Sequence, residues 1–217
     1  MTAQRAQGPG APHRSTRRAG TRGVPRSVRE PLILAVAGQV FAQDGYERAS
    51  MDRIAARADL SKPMLYAYFG SKEGLYSAYI ELTGGELVER LVAADRAADH
   101  TDRIRAVTAE FLAFVSEQGD GWRVLFAEMN ANRPLVEIVA QLRTRIIGEV
   151  RMMLEGSGPR AGLRAPASEG VAAAIVGAGE SLANWWITHP EVTREDVTGW
   201  YAGLAQAAIT AAVPSRR

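Results

Sequence analysis

The chain has 217 residues, 47% of them hydrophobic and 23% charged, ordinary values for a globular protein long enough to bury a core in one or two domains. It contains no cysteine, which excludes disulfides and thiolate chemistry, and its three histidines, His13, His100 and His189, are too scattered to suggest a metal cluster. The net charge of +2 hides an asymmetry: residues 1–30 carry seven arginines against one acid, Glu30, so the remainder is net acidic. No apolar run reaches the length of a bilayer span, and the basic N-terminus lacks the apolar stretch of a secretory signal. The expected location is therefore the cytoplasm, with no membrane partner.

Residues 1–26 read as a disordered basic arm, because Gly, Pro, Ser and Thr fill the gaps between arginines and no apolar period appears. From Ser27 onward almost everything has helical period and no strand-like alternation of any length occurs. In the first helix Val28, Leu32, Ile33, Val36, Val40 and Phe41 form an apolar stripe, and Gly45 is its natural stop. Ser50 caps a short second helix in which Met51, Ile54, Ala55 and Ala58 face inward. A turn at Asp59-Leu60 follows, then a cap at Ser61 and a third helix over 62–69, with Pro63 in its first turn, where a missing N–H is tolerated.

Ser71 begins a long helix to about Arg96, in which the pair Gly84-Gly85 is a candidate site for a bend. Further helices are expected at about 102–118, 121–130 and 134–155, followed by a Gly/Pro-rich loop at 156–166. Two Ala- and Gly-rich helices close the chain at about 168–188 and 193–212, separated by His189-Pro190. The fold class is all-α: a three-helix helix-turn-helix domain over 27–72, then a C-terminal helical bundle over 73–213.

The third helix has an unusual outer face. At about 100° per residue Leu65 and Phe69 share one side, whereas Pro63, Met64 and Ala67 share the opposite one, flanked by Tyr66 and Tyr68. That outer face is neither charged nor ordinarily polar. The string from Phe41 to Leu75, FAQDGYERASMDRIAARADLSKPMLYAYFGSKEGL, resembles the DNA-binding domain of the tetracycline-repressor (TetR) family. The resemblance is carried by Phe41, Gly45, Tyr46, Ser50, Ile54, Ala55, Ala58, Ser61, Leu65, Tyr66, Tyr68, Phe69, Lys72, Glu73 and Leu75. Asp59 stands where the family often has Gly, and Asp tolerates a left-handed backbone better than most residues. Met64 replaces a residue that is commonly small or hydroxylated, so the operator sequence is not transferable from relatives.

The resemblance implies a ligand-responsive, non-enzymatic regulator of transcription that binds double-stranded DNA at a palindromic operator as a homodimer, needs no cofactor, and acts most often as a repressor. It assigns Tyr66, Tyr68 and Lys72 to phosphates. The helix N-termini at Ser50 and Ser71 offer amides to the same groups, and Ser61 is a further DNA-contact candidate. Lys62, Pro63, Met64 and Ala67 then face the groove, Lys62 as a donor to guanine and the others as apolar contacts, with Arg53 as a further phosphate or base contact.

For the dimer, Val171, Ala174, Ile175, Ala178, Leu182 and Trp185 form one apolar stripe, and Trp200, Leu204, Ala207, Ala208 and Ala211 another; intramolecular core is the competing reading. For a mostly apolar small-molecule effector, Phe111, Phe114, Trp122, Phe126, Met129, Met152 and Trp186 supply adaptable surface, and Glu128, Asn130, Glu180 and Asn184 supply polar anchors. Core packing competes here too. Two rival classes remain at this level: an enzyme, for which no catalytic motif is present, and a small-molecule-binding helical bundle without a regulatory role.

Overall fold

The computed structural model describes residues 25–99, 102–127, 133–156 and 163–213, and among these it contains nine helices and no strand. The N-terminal unit, called the reading unit after the resemblance above, is α1 (Arg26–Arg48), α2 (Met51–Arg57) and α3 (Lys62–Phe69). The helical body follows as α4 (Lys72–Ala97), α5 (Arg103–Glu117), α6 (Gly119–Ala127), α7 (Arg133–Glu155), α8 (Ala167–Ile187) and α9 (Arg194–Ala212). No helix among the described residues is long and apolar enough to cross a membrane.

Local chemistry explains the first four boundaries. Gly45, at φ 72°, leaves helical geometry and breaks the helical path of α1 within its last turn. The Ser50 hydroxyl accepts from the amides of Asp52 and Arg53, the Ser61 hydroxyl from Met64, and the Ser71 hydroxyl from Gly74, so three consecutive helices each begin on a serine cap. Between α2 and α3, Asp59 takes up a left-handed conformation at φ 53°, the tight turn that the two helices require. Gly70, at φ 74°, ends α3.

The core does not stop at the end of the reading unit. One cluster runs from Ile33, Ala37, Val40 and Phe41 of α1 through Ile54 and Leu65 to Tyr76, Ile80, Leu87 and Leu91 of α4, and on to Phe114 and Val124. Helix α4 packs on α1, α5 and α7, while α8 packs on α7 and α9 and α5 on α9. Phe41, Tyr46, Tyr76 and Tyr79 meet ring to ring, with Phe41 and Tyr46 each edge-on to Tyr76 at centroid distances of 5.1 and 5.2 Å. The Tyr76 phenol donates to the Val124 carbonyl at 2.9 Å, satisfying one of the last carbonyls of α6.

Two expectations fail for tertiary reasons. Val28 and Leu32 lie outside the core, 54% and 64% exposed, because α1 turns a neighbouring face, with Leu34 and Ala37, toward its partners. Gly84-Gly85 marks no bend: α4 continues through both, and Gly84 is instead the place where Leu142 of α7 lies against the α4 backbone. Arg26 also belongs to α1 and not to the arm.

Gly38 plays the same part between α1 and α4, since a Cβ there would run into the buried Tyr79 ring. A rigid ring at a packed joint cannot step aside as a flexible side chain does. Gly38→Ala is therefore expected to cost about 1–3 kcal/mol and to lower the thermal midpoint in calorimetry; an unchanged midpoint would show that the joint is loosely packed.

Candidate nucleic-acid interface

Helix α3 sets its two faces apart as its sequence requires. Leu65 is fully buried and Phe69 half-buried, whereas Ser61, Lys62, Pro63, Met64, Tyr66 and Ala67 are all exposed. Burial of Leu65 against α2 and α4 leaves the outer residues no choice but solvent or a partner. Tyr68 is half-buried beside α1, and Tyr66 stands free of the core.

The cations around this face are held by neighbours. Lys62 pairs with Asp52 of α2 at 2.9 Å, and this hydrogen bond, followed by the charge of Asp52, raises the ammonium above its ordinary pKa. Arg53 pairs with Asp44 and donates to Gln43 at 3.2 Å, so it lies against α1. Arg57 donates to Gln43 and Gln39 at 3.1 and 2.8 Å. Lys72 donates to the Glu47 carbonyl at 3.0 Å with its ammonium 4.4 Å from the Tyr46 ring centre, docked on the end of α1. The hydroxyls of Ser50 and Ser71 already occupy amides of their helices, leaving fewer for a phosphate.

Two arginines enter this surface from the first turns of α1. Arg26 donates to the Tyr68 carbonyl at 3.1 Å, lies 5.2 Å from the Tyr68 ring centre and pairs with Glu30 at 2.9 Å. Arg29 donates to the Met64 sulfur at 3.8 Å. Their spacing of three residues at the start of a helix was the available signal; their partners, 35 and 42 positions away, were not visible in it.

In the helical body Phe114 and Trp122 are packed into the interior, with Phe111 and Trp186 partly buried beside them. Phe114 and Trp122 are fully buried, and Phe111 meets Trp122 and Tyr201 edge-on at 5.3 and 5.8 Å. The Trp122 indole donates to Asn184 at 2.9 Å, and that of Trp186 donates to the Val192 carbonyl at 2.9 Å. Glu180 accepts from Arg143 at 2.9 Å. Burial, with the Glu180 charge nearby, pushes the Tyr201 phenol above its usual pKa, and its hydroxyl donates to the Ile175 carbonyl. Met152 departs from the expected lining, because at 52% exposure it lies on the outer side of α7. The Phe126 side chain and residues Glu128, Met129 and Asn130 lie outside the described part, as do residues 1–24.

The stripe on α8 divides. Ile175 is buried against Tyr201 within its own chain, contrary to a place in a dimer contact, and Val171, Ala178 and Leu182 pack partly on the same cluster. Ala174, Trp185, Trp200 and Leu204 are exposed, with Ala208 half-buried, and Trp185 and Trp200 are 6.2 Å apart.

Residues 33–79 match the family model described as bacterial regulatory proteins, tetR family, and residues 100–207 match the tetracyclin repressor-like C-terminal domain. Over 174 residues the chain is 31% identical to the HTH-type transcriptional activator FasR of Mycolicibacterium smegmatis, an overlap covering 80% of this chain and 78% of that protein. A TetR-like transcriptional regulator from Rhodococcus sp. RHA1 is similar in structure, with a TM-score of 0.68 and 33% identity over 86% of this chain and 98% of that one. A tetR-family regulator from Streptomyces coelicolor shares the fold, with a TM-score of 0.69 at 23% identity over 87% and 83% of the two chains.

Because Asp52 holds Lys62 and adds a negative charge beside α3, Asp52→Asn is expected to tighten binding to random-sequence duplex DNA. The slope of log affinity against log salt should steepen by about 1 per protomer. A slope and affinity equal to wild type in fluorescence anisotropy would mean that Asp52 does not hold Lys62 away from phosphates.

Proposed function

This chain belongs to the tetR family of bacterial regulatory proteins, DNA-binding regulators of transcription, and on that premise we propose that it is a homodimeric repressor released from a palindromic operator by a small, mostly apolar effector. The observation that carries the DNA-reading half is the outer face of α3, where Pro63, Met64 and Ala67 are exposed opposite a buried Leu65. Apolar and small groups on a helix of this width fit the floor of a major groove, against thymine methyls, better than they fit water. Tyr66, Tyr68 and Lys72 set its register on phosphates, and the arginine-rich residues 1–24 add charge along the neighbouring backbone or minor groove.

A reading unit this small gains selectivity by pairing, with half-sites about 34–36 Å apart or a multiple of that. Trp185, Trp200 and Leu204 support α8 and α9 as the pairing surface, since three large apolar side chains are otherwise left in water. The effector binds within the helical body, among Phe111, Trp122, Trp186 and the paired groups Glu180 and Asn184. It acts by preferring one of two arrangements of α4, and its effect is bounded by that preference. By linkage, operator and effector weaken each other by the same factor.

The Mycolicibacterium relative is a transcriptional activator, which favours a second reading in which the same DNA contact raises transcription. A promoter reporter with and without the gene separates the two outputs.

Selection of genomic fragments on the purified protein should enrich one palindromic sequence, and recovery of no sequence would overturn the operator. On the recovered duplex, deletion of residues 1–24 is expected to lower affinity and flatten its salt dependence, whereas an equal slope would remove the arm from the contact. Trp200→Asp with Leu204→Asp should convert the dimer to a monomer in sedimentation and reduce operator affinity at least tenfold. A dimer that survives both changes would place the contact elsewhere.

A further inference from the structure

We propose that the cleft between α1, α4 and α6 is a binding site for a short-chain alkyl carboxylate, with Arg123 as the group that receives the carboxylate. The walls of the cleft are Phe41, Ala42 and Tyr46 of α1, Tyr76 of α4 and Val124 of α6. The break in α1 opens it: Gly45, at φ 72° and ψ 163°, leaves the helical path, and a Cβ there would meet no atom within 4 Å. The Tyr76 phenol is already donated to the Val124 carbonyl, which ties α4 to α6 beside the recess. The cleft therefore lies where the reading unit meets the helical body, and an occupant touches both at once.

Volume and charge choose the occupant. The cleft holds about 60 Å³, room for an alkyl end of a few carbons and well short of the roughly 150 Å³ that encloses a benzene ring. Its cation is Arg123, which lines the cleft, is exposed and, among the described residues, forms no ion pair. A guanidinium fork beside an apolar recess matches a planar carboxylate with hydrocarbon behind it. Because only the hydrocarbon enters the recess, affinity grows with chain length until the recess is full and no further. The site is separate from the effector place proposed above, since α6 turns Trp122 toward Val115 and Ala183 of the body but Arg123 and Val124 toward the cleft.

The test is a nuclear magnetic resonance titration of the full chain with sodium acetate, butyrate and octanoate at constant ionic strength, following the backbone amides of Gly45 and Val124, with n-butanol as the uncharged counterpart. Butyrate should shift both amides saturably and bind more tightly than acetate by up to about fourfold per added methylene. Octanoate should gain nothing further at these amides. Arg123→Gln should weaken butyrate about threefold or more and leave n-butanol unchanged, which separates recognition of the charge from loss of the recess. Ala42→Leu, which fills the recess, should abolish the butyrate response; should that variant not fold, Arg123→Gln with the n-butanol comparison decides. No saturable shift at Gly45 and Val124, equal butyrate affinity in the wild type and Arg123→Gln, or an affinity at these amides that keeps rising to octanoate overturns the assignment. Each of those results leaves the operator standing, and a protein that selects no operator leaves this site standing.

Discussion

The packing of four rings, Phe41, Tyr46, Tyr76 and Tyr79, holds the reading unit to the helical body. Each such pair adds about 0.5–1.5 kcal/mol beyond the apolar area it buries, but the geometry matters more than the sum. Two of these rings sit on the C-terminal part of α1 and two on α4, and Tyr79 is admitted only because Gly38 has no side chain. Through the Tyr76 phenol and the Val124 carbonyl the same joint reaches α6. Because Leu65 inserts into this continuous cluster, the placement of α3 is set by α4 as much as by its own neighbours in the helix-turn-helix.

Charge around the outer face of α3 is largely paired. Its lysine and arginines are paired with Asp52, Asp44 and Glu30 or hydrogen-bonded to Gln39 and Gln43. These pairs are exposed, so each contributes little to folding, and the carboxylates oppose any anionic polymer that does not fit. In the proposed DNA contact, paired cations of this kind gain less from sequence-independent phosphate attraction than free ones do. The unassigned charge is concentrated in residues 1–24, ahead of α1.

In the helical body, polar groups that an apolar ligand would meet are already satisfied: Trp122 by Asn184, Glu180 by Arg143, Trp186 by the Val192 carbonyl. Phe111 touches all three hydrophobic clusters. A ligand that moves Phe111 therefore disturbs α4, α8 and α9 at once, and displacing either polar pair leaves a partly buried group to be satisfied by the ligand itself.

The helices, their caps and the left-handed turn at Asp59 were legible in the residues, because each depends on neighbours three or four positions away: a serine hydroxyl and an amide, a ring and a missing N–H, an apolar repeat. The exposed outer face of α3 and the family followed from the same local pattern. What periodicity could not say was which part of a stripe meets a partner. Val28 and Leu32 continue the apolar repeat of α1 yet remain in water, and Ile175 turns inward while Trp185 on the same helix does not. Gly84 was a candidate bend and is a seat for Leu142, and the partners of the candidate DNA contacts Lys62, Arg53 and Lys72, namely Asp52, Asp44 and the Glu47 carbonyl, come from other segments. Arg26 and Arg29 meet α3 only when the chain has closed across some forty residues. Such contacts arise from the way helices cross, which is set by the shape and volume of all their facing side chains together and is written in no single segment.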